Sequence, residues 1–421
     1  MNRKLVSLLL IITIVLSLST VTLAAEEQTE GSNEFSSIDA TTYYYDSFNN
    51  DAYRNVYDQL AKAADSFHNS TRNAEYCGIS DESYYYKAFT LTVTKKDWDV
   101  IGSDGIAYVI RGFLADNPIY FWMAPNFKYE AKSIDSGSVC YIVTIICYNE
   151  YANGSSREVL KNNFDIVISN YANKTDDSMP NYQKEYIIHN ALIDDIYVYN
   201  PEVETATEEG TSWTDTIDGV FNSKHKSATS FGYAKAFKAI MDYLNIPCIY
   251  VEGNEVVPTD GTSQDAYNSH AWNMVCLDDG WYNVDVSLDD PETTSGKAVL
   301  IYDYFNISSA KATGLTPNTD WLPGIPTCEG QAYSIVNIQS QLQQGDVWQD
   351  DNYNFFDKIL DTYGLSVVLI SIGLILILIV ALIKNIRKGH DKKKKEKIKN
   401  TKTSVIDHSE LDNQLRRPPL S

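Results

Sequence analysis

No CxxC pair and no HExxH pair occurs in the 421 residues, so six cysteines and six histidines offer no zinc spacing. Neither a metal nor a cofactor is expected. No internal repeat is found, which excludes a stacked-repeat architecture. Positive charge is scarce: 34 Lys and Arg stand against 56 Asp and Glu, a formal net charge of −22. Phosphate contacts need the opposite sign, so nucleic acid is not an expected partner. Much of the basic charge lies in the tail from Lys384, and the rest of the chain is therefore more acidic still. A solvated acidic surface is the plain reading of that excess. The cysteines could form disulfides, but Cys140 and Cys147 sit seven residues apart in one strand-like run, roughly 23 Å when extended and on opposite faces. That pairing is excluded unless the strand bends back. Cys248 and Cys276 could pair only if their strands are neighbours, and buried free thiols are the expected state.

Long apolar runs are equally sparse, and the two present set the compartment. Arg3 and Lys4 precede an apolar stretch from Leu5 to about Leu18, followed by small residues ending at Ala24 and Ala25. A basic n-region, an apolar h-region and a small-residue cleavage site describe a signal peptide over residues 1–25. The second run, Leu365–Ile383, carries no charge and is about 19 residues long, enough to cross a bilayer as one transmembrane helix. Lys384, Arg387, Lys388 and Lys392–Lys395 follow it, while Asp350, Asp351 and Asp357 precede it. Positive charge on one side places that side in the cytoplasm. The expectation is a single-pass protein of the cell membrane, extracellular for most of its length, with a basic cytoplasmic tail over 384–421.

Between these ends the chain divides into four exported segments. Residues 26–42 form a polar lead. Residues 43–179 read as an N-terminal α/β region: Tyr53, Val56, Tyr57, Leu60 and Ala64 share one face of a helix, and Ala88–Thr94 and Val139–Cys147 alternate as strands. Residues 182–333 form a second unit opening on a helix from Tyr182 to about Asp194, with His189 read as a packed, structural residue. Thr205–Asn222 is acidic and rich in Ser, Thr and Gly, and reads as a surface loop. Residues 334–363 turn Gln-, Asp- and Asn-rich and read as a stalk.

Three stretches of the second unit carry chemistry: Ser227-Ala-Thr-Ser-Phe-Gly-Tyr-Ala-Lys-Ala-Phe237, Ser269-His-Ala-Trp-Asn-Met-Val275 and Trp281-Tyr-Asn-Val-Asp-Val-Ser287. Ser230 opens a predicted helix whose apolar face is Phe231, Ala234, Phe237, Ile240 and Leu244, stopped by Asn245-Ile-Pro247. A helix N-terminus stabilises a thiolate and can hold an oxyanion. Asp278 and Asp279 form a two-residue hairpin turn, which sets Asp285 opposite Trp272 and one diagonal step from His270 on the same face. A carboxylate there can orient an imidazole as base.

These stretches resemble the bacterial transglutaminase-like superfamily, whose pattern runs roughly Gly-Val-Cys-x-Gly-Tyr-Ala, His-Ala-Trp-Asn and Trp-Tyr-x-x-Asp. The resemblance places the histidine on His270 and the aspartate on Asp285, and puts Ser230 where the family has its nucleophilic cysteine. It implies an α+β fold with a papain-like core, a helix packed on an antiparallel sheet. Ile246-Pro-Cys-Ile-Tyr-Val-Glu-Gly253, Asp289-Asp-Pro291 and Tyr302-Asp-Tyr-Phe305 follow the family's order, so the likeness covers about 110 residues. Neither Cys248 nor Cys276 stands at a helix start, so neither replaces the missing thiol.

Two functions compete on this reading. In the first, the substituted site is a pseudoenzyme impaired for acyl transfer, and the protein binds peptides, surface proteins or cell-wall ligands. In the second, Ser230, His270 and Asp285 form a working catalytic triad, an amidase or acyltransferase on peptides or surface proteins. The N-terminal region, with tyrosine clusters at Tyr43–Tyr45 and Tyr84–Tyr86, is a third place where binding could reside. The Asn-, Lys- and Ile-leaning composition points to a Gram-positive bacterium.

Overall fold

The one-sided apolar spacing from Tyr53 to Ala64 becomes a long helix, Asp51–His68 (α2), preceded by the short helix Tyr43–Ser47 (α1). Asn50 starts α2 by accepting from the Ala52 N–H, and Val56, Leu60, Ala64 and Phe67 are buried along its inner face. This is a computed structural model that describes residues 42–80, 83–134, 138–199, 212–257, 266–291, 300–319 and 324–341. The expected signal peptide, the transmembrane segment, the basic tail and most of the polar lead and stalk lie outside the described residues. Among the described residues no helix is long and apolar enough to cross a membrane.

Four strands follow: Glu75–Ser80 (β1), Ser83–Thr94 (β2), Met123–Ser133 (β3) and Val139–Cys147 (β4). They form an antiparallel sheet in the order β1-β2-β4-β3. The helix Lys95–Asp116 (α3) links β2 to β3, capped by the Thr94 hydroxyl and kinked at Gly102, whose φ of 58° suits glycine. Val93, Val143 and Ile145 are buried beneath these helices.

The helices Gly154–Ala172 (α4) and Asn181–Asp195 (α5) lead into the second sheet. Cys248–Val257 (β7), Ala266–Leu277 (β8), Gly280–Val284 (β9) and Leu315–Pro317 (β10) pair antiparallel in the order β10-β7-β8-β9. The helix Ser230–Tyr243 (α7) packs on β7 and β8. A two-strand parallel pair, Tyr197–Val198 (β5) with Ser227–Ala228 (β6), brings the chain to the start of α7. The fold is mixed α+β, as expected. One buried cluster runs from Phe48 through Phe113, Phe164 and Phe237 to Ile338, so both sheets share it. Ile338 lies on a short helix, Ile335–Gln341 (α8), which forms the first residues of the segment read as a stalk.

The described part of the 205–222 stretch is not a surface loop. It forms a 3-10 turn, Ser212–Asp215, and a helix, Ile217–Phe221 (α6), with Trp213, Ile217, Val220 and Phe221 buried. Polar neighbours mask an apolar spacing of three and four residues that is helical. The six cysteines are free. Cys248 and Cys276 do lie on neighbouring strands, yet Cys248 pairs with Val275, so the two thiols point to opposite faces.

Candidate active site

Ser230 is the first residue of α7, held there by its neighbours. Thr229 is extended, and its hydroxyl donates to Asp215 Oδ1 at 2.7 Å instead of capping the helix. The first-turn N–H groups of α7 therefore owe nothing to the Thr229 side chain, and they form a positive helix end beside Ser230. Gly232 is required by space: a Cβ there would lie 2.4 Å from the Thr214 carbonyl oxygen and 2.8 Å from the Ala228 Cβ. Tyr233 donates its hydroxyl to Asp290 Oδ2 at 2.5 Å, and Ala234 packs with Trp272 and Ile249. The Gly-Tyr-Ala triplet is thus a docking device for the helix start.

His270 and Asp285 come from the hairpin. The register Asn273 to Val284 and Leu277 to Gly280 confirms Asp278 and Asp279 as the turn. His270 Nε2 and Asp285 Oδ2 lie 2.6 Å apart, both residues buried. The other carboxylate oxygen, Asp285 Oδ1, accepts from Ser287 N, Ser287 Oγ and Leu288 N at 3.1, 2.7 and 3.1 Å, which fixes the plane of the group. Ser230 Oγ accepts from the Ala271 N–H at 3.3 Å, which ties the start of α7 to the strand residue next to His270. Asn273 ties the hairpin to the helix by donating to the Ala234 carbonyl at 3.0 Å. Trp272 Nε1 donates to Asn283 Oδ1 at 3.1 Å.

One neighbour was not legible in the motifs. Glu255, on β7 opposite Asn268, sits one diagonal step from His270, with Oε2 3.5 Å from the ring Nδ1. Burial alone would lower the His270 pKa. The charge and hydrogen bond of Asp285, then the charge of Glu255, outweigh it and hold the ring above its ordinary 6.5. A second His–Asp pair was also missed: His189, fully buried on α5, faces Asp289 Oδ2 at 3.2 Å, and burial raises that carboxyl to about 6. His189 stacks on Tyr302, in keeping with a packed residue. The alternative thiols are inert, since burial pushes Cys276 up to about 12 and Cys248 well above its usual range.

Beside Phe231 a cavity of about 200 Å³ opens between the two sheets' halves of the chain; Ser230, His270 and Asp285 are not among its lining residues. Phe231, Lys235, Tyr250 and Glu252 line it from the core, facing Arg111, Tyr120 and Tyr148 from the N-terminal part. The Lys235 amine donates to the Asp215 carbonyl at 2.8 Å, and burial lowers its pKa. Among the described residues no group of His, Cys, Asp and Glu could hold a metal ion.

Residues 169–286 match the family model of the transglutaminase-like superfamily, a stretch that contains Ser230, His270 and Asp285. Over those residues the core is similar to the transglutaminase-like superfamily. The crystal structure of a TGase aligns with a TM-score of 0.24 at 15% identity, over 38% of this chain and 44% of that one. The chain thus spans less than half the length of that relative. The periplasmic domain of TgpA from Pseudomonas aeruginosa, bound to ethylmercury, aligns with a TM-score of 0.23 at 10% identity, over 54% of this chain and 93% of that one. No curated protein matches the chain.

Proposed function

We propose that this is a membrane-anchored, exported transglutaminase-like protein in which Ser230 occupies the nucleophile position of the family. Its site is impaired for acyl transfer and serves as a binding module for peptides or envelope components. One observation carries this reading: the Ser230 hydroxyl oxygen is engaged by the Ala271 N–H. A thiol at that position would be ionised by an imidazolium and a helix N-terminus, because its pKa is only about 8.5. A hydroxyl keeps its proton and needs a base at the moment of attack. The cavity beside Phe231, lined by aromatic rings together with Arg111, Lys235, Asp215 and Glu252, is suited to a peptide side chain.

The 2.6 Å contact of His270 with Asp285 supports the rival reading, a Ser–His–Asp amidase or acyltransferase, because such an orienter is what a serine nucleophile requires. A fluorophosphonate probe separates the two. Intact-mass analysis of the purified full chain should show no adduct, and pull-downs with cell-wall peptides should retain the protein. A single adduct that vanishes in Ser230→Ala would establish the hydrolase instead. The anchoring is tested by protease shaving of intact cells: loss of an epitope in the core with survival of one in the 384–421 tail is the expected pattern.

A further inference from the structure

Three adjacent strands put two carboxylates on one imidazole. Gly253 of β7 pairs with His270 of β8, and Glu255 pairs with Asn268, so Glu255 and His270 share a sheet face. Asp285 follows β9 on the far side of β8 and emerges on that face as well. The ring is therefore bracketed: Nε2 meets Asp285 Oδ2 at 2.6 Å, and Nδ1 meets Glu255 Oε2 at 3.5 Å. These contacts use opposite edges of the same ring. A neutral imidazole has one N–H and one bare nitrogen, and it can donate to only one of two carboxylates. An imidazolium has two N–H groups and satisfies both.

We propose that Glu255 is a positioning residue that, together with Asp285, holds His270 as a doubly protonated ring and so denies Ser230 a base. The inference rests on the functional reading above and gives it a physical cause. For Ser230 to attack, its hydroxyl proton must pass to a bare ring nitrogen. Nε2 is committed to Asp285, which leaves Nδ1, and Nδ1 faces Glu255. Glu255 thus occupies the one ring edge that Asp285 leaves. A thiolate would not suffer in the same way, since it pairs with an imidazolium rather than needing a neutral one.

Among the described residues, the charged and titratable groups around the ring are few. Asp285 comes from the hairpin and Glu255 from β7. Tyr304 comes from the segment crossing β9, where its backbone carbonyl accepts from the Asp285 N–H, and both carboxylates help to raise its phenol. Ser230, from α7, carries no charge. The Glu255 side chain is 27% exposed, so solvent screens part of its effect without removing it.

The test is nitrogen-15 NMR of the histidine rings in the full chain, with the His270 signal assigned by its loss in His270→Ala. In the wild type near neutral pH, both His270 nitrogens should show the shifts of a protonated ring. Glu255→Gln should weaken proton binding at His270 by about threefold or more, the scale of one partly exposed charge pair, and so raise the fraction of neutral ring with Nδ1 bare. Glu255→Asp, which keeps the charge on a shorter arm, should fall between the two. Glu255→Gln should also label faster with the fluorophosphonate at Ser230 than the wild type does. A Glu255→Gln protein whose His270 titrates with the wild type overturns the proposal, whatever its labelling. A wild type that labels readily while Glu255→Gln still shifts the ring would instead overturn the functional reading and leave Glu255 as a brake on an active triad.

Discussion

On the proposed reading, Ser230 puts a hydroxyl where the similar family has a thiol, and that changes what the rest of the site is for. The helix end at Ser230 and the Asp285 partner of His270 both favour separated charge, thiolate on one side and imidazolium on the other. With serine the same surroundings favour the wrong protonation state, because a ring held above its ordinary 6.5 is a poor acceptor near neutral pH. Glu185 shows the same physics away from the site. It is fully buried on α5, accepts from Asn306 Nδ2 at 3.1 Å, and burial lifts its carboxyl from 4.5 to about 8. The folded state thus holds this proton more tightly than the unfolded chain. That contribution to stability is complete below about pH 4.5 and drains away as pH rises towards 8. Glu185→Gln, which keeps the neutral shape, should raise the melting temperature near pH 8.5 and change it little near pH 4.5. Parallel pH profiles for variant and wild type would contradict this.

At the scale of elements, the hairpin and the helix explain why part of the site was readable. Asp278 and Asp279 form a two-residue turn, and such a turn fixes register, so Asp285 could be set near His270 from residue numbers alone. Ser230 was readable because the Phe231 to Leu244 spacing and the Asn245-Ile-Pro247 stop bound the helix. Glu255 was not readable. The connection between β7 and β8 is too long to define a register, and only pairing in space puts Glu255 beside the ring. Ile217–Phe221 escaped because its apolar residues sit within acidic and hydroxylated ones. The helix start depends on two close contacts that can be broken separately. Gly232→Ala forces a Cβ against the Thr214 carbonyl and should destabilise the fold by about 1–3 kcal/mol. Asn273→Ala removes the bonds to the Ala234 and Ile249 carbonyls, and should cost about 1–3 kcal/mol. Urea titrations read both, and unchanged midpoints would show that α7 is docked by other means.

At the scale of the whole molecule, the N-terminal sheet is joined to the core by shared interior. The buried cluster passes from α2 and α3 through Phe164 and Tyr171 of α4 into α7. Tyr44 of α1 donates to the Tyr250 carbonyl at 2.5 Å, and Tyr151 donates to Asp218 Oδ2 at 2.7 Å, bonds that cross between the two parts. Cutting such an interior exposes apolar surface on both sides, so the parts should unfold together. Tryptophan fluorescence and far-ultraviolet circular dichroism should give coincident urea transitions, whereas two separated transitions would mean that each part folds alone. The α+β class and the core were legible because they rest on local periodicity and turn chemistry. The union of the two parts was not, since it depends on contacts between residues far apart in the chain.

The most direct measurement puts a thiol at position 230. Ser230→Cys and the double variant Ser230→Cys/His270→Ala would be alkylated with iodoacetamide near pH 6, where an ordinary thiol is almost wholly protonated. The account predicts a single labile thiol in Ser230→Cys, reacting at least about tenfold faster than in the double variant, because the helix end and His270 ionise it. Equal, sluggish alkylation in two well-folded proteins would mean that Ser230 and His270 are not partners, and that the site is not a thiol-enzyme centre with its thiol exchanged.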